Sequence, residues 1–501
     1  MRDNVVEIKG IDYQTIDEII INKSVNEHGS AIIKCTTDKT SLKDIISSED
    51  GMSWVSIMIG EAEGGKATDA IFAGVVDTIS LEACDSLEKI KKVTVKLIGG
   101  SYLLDVKKEI YTYQKDDTKI SEIKNKIKEN AKKNFTKLNL KINNGKDIKD
   151  SDKPESEMLV QYLETDYEFL KRCASINNQP LITVIDSNDG INVDVNIGLM
   201  SGGKSGSIDT KLYKEEKNLK AALIAEKLGI ENVNEKDYQM VEVRTREYFD
   251  LGSQVDIDGK SLYVYSSESK FGIKTKEDKA LWIDSNDTSE HTSSVFYHIY
   301  KLAEEKRFKV PRQYNEKMIG VSLNAKVSKV NKDKLEIECE CDGKKSNTPK
   351  EFPYATVYSS KDGTGWYCMP EVDDEIRLYL PTEDEEDAYV ISAVHLEGAE
   401  LRNNPDVKFI MNKYKKEVRF EEKTIKITNN NGMEIVIDDD KGISITSDKD
   451  ISLSGSKDVT LLSKSGEMHF SGEKEISLKQ GASAYVEMKN GIKFKGTKIN
   501  M

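Results

Sequence analysis

The sequence predicts a mainly β, multidomain chain with some α that assembles as a homotrimer, and three observations carry that prediction. At 501 residues the chain exceeds what one hydrophobic core holds. Short alternations of apolar and polar residues, the mark of half-buried strands, recur along most of its length. The C-terminal stretch repeats every eight residues in a pattern that a single chain cannot bury. With 37% hydrophobic and 32% charged residues, but 21 Tyr and 12 Phe, the composition describes folded material with much exposed surface rather than a disordered chain.

Residues 1–310 form a first region, in which 1–114 read mostly as strands of a barrel or sheet. The alternation is clearest at Ala31–Cys35, Trp54–Ile59 and Val93–Leu97. Behind Thr118, Ile120, Ile123, Ile127 and Ala131 recur at helical spacing and predict one amphipathic helix. Residues 140–157, rich in Lys and Asp, read as a polar linker. Thr165 or Asp166 then caps a second helix, with Phe169, Leu170, Cys173 and Ile176 on its apolar side, and a strand follows at Leu181–Ile185. Further strands are expected at 191–197, Tyr238–Arg246 and Leu262–Tyr265, and a helix near 293–305.

Pro311 opens a second unit, 311–395. Val321, Leu323, Ala325 and Val327 alternate, Asn331–Lys334 turns, and Leu335, Ile337, Cys339 and Cys341 alternate back as a hairpin. With candidate strands at Tyr354–Tyr358, Glu375–Leu380 and Ala388–Val394, five strands suit a small closed barrel of the OB type. Residues 396–415 read as a linker, and 416–501 as the repeat.

In the repeat, apolar–polar–apolar triplets stand at Ile435/Ile437, Ile443/Ile445, Ile451/Leu453, Val459/Leu461, Met468/Phe470, Ile476/Leu478, Ala484/Val486 and Ile492/Phe494. Each unit is a very short strand and a turn. About two apolar side chains per unit yield ~3–6 kcal/mol of burial, against ~1–2 kcal/mol of backbone entropy for each residue ordered. One chain loses that balance. Wrapping with identical chains makes the inward stripe a continuous dry core and gives every strand edge a partner. A triple-stranded intertwined β-helix is therefore expected, with Ile443, Ile445, Ile451, Leu453, Val459, Leu461, Ile476, Leu478, Ile492 and Phe494 as trimer core. A solitary β-helix needs ~20 or more residues per turn.

Charge and composition exclude several functions. A net charge of −14 is unsuited to neutralising phosphates, so nucleic acid is not an expected partner. The acidic run Glu383–Asp387 reads as a solvated turn. Six cysteines without a C-x-x-C pair suit a reducing cytoplasm, with Cys339 and Cys341 as small strand residues and not metal ligands. The N-terminal MRDNVVEIKG has no signal-peptide core and no apolar run reaches membrane-spanning length, so cytoplasmic synthesis is expected.

Three motifs invite catalytic readings. Gly198–Ser205 matches the phosphate-loop pattern G-x-x-x-x-G-K-[ST], but a half-exposed strand precedes it and Gly206-Ser207 interrupts the helix that phosphate binding requires. His28, His291, His298, His395 and His469 form no close ligand cluster, although His291 and His298 could share a helix face. No G-x-S-x-G elbow is present, and acidic pairs cannot be ranked as glycosidase carboxylates from spacing. No catalytic residue, cofactor or metal is assigned.

The order of parts resembles the valine-glycine-repeat (VgrG) spike proteins of type VI secretion and the hub-plus-spike proteins of contractile phage tails and bacteriocins. Glu164-Thr165-Asp166-Tyr167-Glu168-Phe169-Leu170 is similar to that family's E-[ST]-D-[FY]-x-F-L. Met369–Ile376 and Tyr389–Val394 resemble its P-x-V-G-D-E-V and V-x-G-x-V, except that Asp373 replaces Gly. The repeats lack strict Val-Gly pairs, which leaves phage-derived or Gram-positive-type systems open beside type VI secretion. The resemblance implies a non-enzymatic homotrimer that docks on the inner tube and baseplate, and is exported in the injection particle to pierce a target envelope. A separate conical tip protein and effector cargo are further partners it implies, since only His469 stands where the family's tip holds iron through a His-x-His pair. No room for a fused enzyme is expected. Cell-wall hydrolase and receptor-binding tail fibre are the alternative readings.

Overall fold

The computed structural model describes residues 4–46, 52–61, 67–82, 90–114, 118–150, 158–184, 190–202, 205–209, 213–272, 295–342, 350–393, 395, 400–481, 484–495 and 498. The chain divides into two units, Met1–Val394 and His395–Met501.

In the first unit a twelve-stranded sheet curls around two cores. Strands Asn4–Lys9, Trp54–Glu61, Asp69–Glu82, Lys91–Gly99, Ser30–Thr37 and Thr15–Ser24 are neighbours in that order. Their inward residues, among them Ile19, Ile33, Ile57, Phe72 and Val95, are fully buried together. Thr15–Ser24 then pairs with Lys260–Gly272, which leads through Val295–Ala303 and Gln239–Thr245 to Tyr213–Lys217 around a second core of Val243, Val264, Tyr300 and Leu302. The helix expected near 293–305 is thus a strand, Val295–Ala303, over its described residues. Phe296, His298, Tyr300 and Leu302 alternate inward, and aromatic and branched side chains suit a pleated surface better than a helix.

A third core lies under two helices. Ile120–Asn134 buries Ile120, Ile123, Ile127 and Ala131; Lys119, not Thr118, is its N-cap and gives no side-chain cap. Asp166–Ile176 packs beside it. Part of the expected 140–157 linker is a strand, Asn139–Asn144, paired in parallel with Asn192–Ile197, and Ile142 reaches the core. Its Asn- and Lys-rich outer face hid the alternation.

Strands Glu351–Pro353, Lys334–Cys339, Val321–Asn331, Glu375–Leu380 and Tyr389–Ile391 form a five-stranded sheet in that order. Tyr354 bridges Val390 in parallel, and the Ala355 amide donates to the Val390 carbonyl at 2.8 Å, closing the sheet end to end. Taken in chain order the closed circuit is 1-2-3-5-4, the OB connection. The strand expected at Tyr354–Tyr358 is shifted forward to Glu351–Pro353, and the chain then enters a hairpin.

In the second unit, Lys408–Met411, Glu417–Phe420, Thr424–Thr428, Glu434–Asp438 and Gly442–Thr446 make an antiparallel meander. Its first strand falls within the expected linker. Residues 447–475 form no strand, and a three-stranded meander follows at Ile476–Gln480, Ala484–Met488 and Ile492–Lys495.

Candidate functional site

Two arrangements carry the function-bearing residues: the apolar rows of the repeat, and the junction that fastens the barrel to the hub. In the rows, Ile443 and Ile445 face Ile437 and Ile435 across one hairpin, and Val486 lies between Leu478 and Phe494 in the last meander. Ile451, Leu453, Val459 and Leu461 lie in the strandless stretch, where no described strand pairs with them. Within one chain these side chains stay open: Ile443 is 70% exposed, Leu453 71% and Ile492 65%, while Ile476 alone of the ten is half-buried. Polar neighbours on the strands pair with each other, as Lys426 does with Glu434 at 2.6 Å and Lys423 with Asp440 at 2.8 Å. On these strands charged side chains find partners while the apolar ones stay in water.

The junction is built on the Glu164–Leu170 segment. Thr165 caps the helix in a reciprocal capping box: its hydroxyl accepts from the Glu168 amide at 3.1 Å, and Glu168 accepts from the Thr165 amide at 3.0 Å. Asp166 is buried and accepts from Gln161 at 3.1 Å and Asn130 at 3.2 Å; burial moves its carboxyl pKa up despite those bonds. Just before the cap, Leu163 is an unpaired bulge residue with φ +49°, and the bulge turns Glu164 inward.

Two turns along the helix, Arg172 receives Glu164 as a bidentate partner at 2.8 and 2.9 Å and binds Glu385 of the barrel at 2.7 Å. It also donates to the Val160 carbonyl at 2.6 Å, while the Val160 amide donates to Glu385 at 3.3 Å. All three side chains are nearly or fully buried. Burial works against the guanidinium charge, but Glu385 and Glu164 outweigh it and its pKa moves up. The acidic run read as a solvated turn is therefore corrected at one position: Glu385 is 1% exposed, an interior anchor. Spacing along the sequence could not reveal it, because its partner lies 213 residues away. Val160 of the hub strand Leu159–Thr165, with Met158 just before it, enters the barrel's core beside Leu335 and Leu378, completing the joint with hydrocarbon.

A Ser–His–Asp cluster, whose members lie too far apart along the chain for spacing to reveal, lies behind the same helix. His28 Nδ1 meets Ser101 Oγ at 2.8 Å, Nε2 meets Asp105 at 3.1 Å, and the Thr165 hydroxyl donates to Asp105. The hydrogen bond from His28 holds the Asp105 carboxyl below its ordinary range. Ser101 is only 3% exposed, and the cleft lined by His28 and Asp105 does not include it. The small cavity that Ser101 does line contains neither His28 nor Asp105, so neither cleft brings the three groups together, and the cluster ties the turn at His28 to the helix cap. The phosphate-loop match also loses its context: Ser205–Ser207 is a strand paired with Gln254–Ile257 where a helix is required, and Gly203 and Lys204 lie outside the described residues.

His298 does not share a helix face with His291, which lies outside the described residues. It stands on a central strand, bonds Ser269 at 2.7 Å, and is pushed down to about 3 by burial and then by nearby Lys23. Lys23, itself held by Asp250 and Tyr248, has its pKa lowered by burial. Below about pH 6.5 the unfolded chain takes up a proton at His298 that the folded chain refuses, so stability falls as pH drops from about 6.5 toward 3. The expected slope from this residue is about 1.4 kcal/mol per pH unit. Urea unfolding between pH 7 and 4.5 measures it, and His298→Gln is expected to flatten the slope.

No known protein-family profile matches the chain, and no curated protein matches it in sequence. Solved structures do match. The E. coli c3393 protein, described as a type VI secretion component with structural similarity to the T4 bacteriophage tail proteins gp27 and gp5, is 11% identical with a TM-score of 0.50, over 78% of this chain and 100% of that one. A chain of the Francisella PdpA–VgrG complex in its half-lidded form is 11% identical with a TM-score of 0.54, over 89% of this chain and 88% of that one. The lidded form gives 12% identity and a TM-score of 0.51, over 89% and 80%. At such identity the shared property is the fold: this chain folds like the VgrG and type VI secretion component structures it matches.

Proposed function

We propose that this chain is the structural central spike of a contractile injection system, a homotrimer whose repeats intertwine into a needle. The observation that carries the reading is the set of open apolar rows in the repeat, on a chain with the VgrG-like fold. Three copies turn each row into an interior stripe, and stiffness then comes from interchain hydrogen bonds and continuous burial. The domain scheme follows: 1–310 as hub docking on the inner tube and baseplate, 311–395 as barrel, a connector from 396, and a needle that leads when the sheath contracts. The Arg172 junction supports such work, since force on the needle must pass from barrel to hub. The role is mechanical and not catalytic.

Assembly in the cytoplasm, followed by export within the particle, fits this reading; among the described residues no helix is long and apolar enough to cross a membrane. A separate conical tip protein at the C-terminal end, a carried effector and the target envelope are the further partners proposed. The Francisella structure is a complex of VgrG with PdpA.

Light scattering of the full chain, beside a chain truncated after residue 394, tests the reading. The full chain is expected at three times 56.4 kDa and the truncated chain at a lower copy number. A full chain that stays monomeric at all accessible concentrations overturns it.

A further inference from the structure

The barrel carries a second uncovered apolar surface, far from any repeat row in sequence. After Pro353 the chain forms a hairpin over residues 355–367. The Trp366 amide donates to the Tyr358 carbonyl at 2.8 Å, Ser360 to Thr364 at 2.9 Å, and the Thr356 hydroxyl to the Trp366 carbonyl at 2.6 Å. Tyr367 anchors the hairpin to the barrel through Lys332 at 2.9 Å. Gly365, at φ +152°, allows the close crossing: a Cβ there would lie 2.4 Å from the Tyr358 carbonyl oxygen. The hairpin is fixed by its own bonds, yet Val357 is 91% exposed, Tyr367 74%, Tyr358 57% and Trp366 49%. Its charges, Lys361 and Asp362, are confined to the tip.

We infer that this aromatic hairpin seats against an adjacent copy of the same chain, which rests on the trimeric-spike reading above. Interface centres are enriched in Tyr and Trp and depleted of charge. On a chain of net charge −14, an uncharged aromatic patch is also where identical copies meet with least repulsion. The chain itself raises the odds of that partner over a dilute one. The barrel's last strand ends at Ile391 and the first repeat strand starts at Lys408, a connection that spans at most ~60 Å even fully extended. Trimerised repeats therefore hold three barrels together at an effective concentration on the order of millimolar.

A cyclic trimer uses two different patches per chain, one to insert and one to receive. The receiving patch we assign is Leu163, Tyr314 and Ile319, all exposed. Leu163 is the bulge residue of the hub strand, and Asn315 and Lys317 donate to the carbonyls of Tyr162 and Leu163 at 2.8 and 3.5 Å, which fastens segment 314–319 beside it. The hairpin of one chain then rests on the hub–barrel junction of the next.

Cys368, exposed and adjacent to Tyr367, is a native reporter. The experiment is maleimide labelling of the full chain with peptide mapping, alongside light scattering. In the trimer, Cys368 is expected to react roughly tenfold or more slowly than in the chain diluted to monomer, because the contact excludes solvent and reagent. Trp366→Glu is expected to restore fast labelling while the mass stays trimeric, and Tyr314→Glu to do the same from the receiving side. A trimer whose Cys368 reacts at the monomer rate overturns this inference and leaves the spike reading standing; the hairpin then faces another partner, such as a glycan or the tube. A chain that never trimerises overturns both.

Discussion

Arg172→Met is expected to destabilise the first unit by about 3–5 kcal/mol, because Glu164 and Glu385 remain buried without their cation. Methionine preserves most of the side-chain volume, so the loss is electrostatic and not a cavity. Urea unfolding measures it, and the barrel is expected to melt ahead of the hub once the charge link is gone. The triple variant Arg172→Met, Glu164→Gln and Glu385→Gln removes all three charges of the clamp at once, and it is expected to recover much of the loss. A single Arg172→Met variant within 1 kcal/mol of wild type, to within roughly the error of such extrapolations, contradicts the clamp. The same experiment bears on function. On the proposed spike role, a barrel that separates from its hub cannot transmit thrust, so assembled particles carrying this variant are expected to fire without delivering.

Ile451→Asp is expected to break the trimer locally or completely. In the proposed intertwined needle three copies of residue 451 would meet in one layer, so one substitution would place three carboxylates together and withdraw three side chains each worth ~1.5–3 kcal/mol of burial. Ser452→Asp is the control, since its side chain alternates to the outer face of the triplet. Sedimentation velocity and limited proteolysis of the repeat read the result. Equal behaviour of the two variants removes the inward stripe, and with it the physical reason for a trimer. Neither residue belongs to a hub core, so hub stability is expected to be unaffected.

Much of the hub motif was legible in the sequence because its signals are local. Of the two cap candidates Thr165 is the N-cap, and Phe169, Leu170 and Ile176 fall on the buried side of the helix, with Cys173 partly buried against the same core. The barrel strands Val321–Asn331 and Glu375–Leu380 alternate cleanly because one face meets the core and the other meets water. Val295–Ala303 gives a weaker signal: Phe296, His298, Tyr300 and Leu302 keep the period of two on one face, but Tyr297 and Ala303 are buried on the other and blur it.

The sequence by itself determined the composition of the parts: an octad stripe too sparse for one chain, a capped helix carrying the Glu164–Leu170 motif, five short barrel strands, and a charge that disfavours nucleic acid. These follow from spacing, and spacing is a property of neighbours along the chain. Only the tertiary structure decided which distant residues share an interior. It joined Glu385 to Arg172, His28 to Ser101 and Asp105, and Thr15–Ser24 to Lys260–Gly272, and it lifted Tyr358, Trp366 and Tyr367 onto a rigid hairpin. The physical reason is that a buried ion pair or a cross-barrel strand pairing is selected by desolvation and packing in three dimensions, which leave no period in the sequence to read.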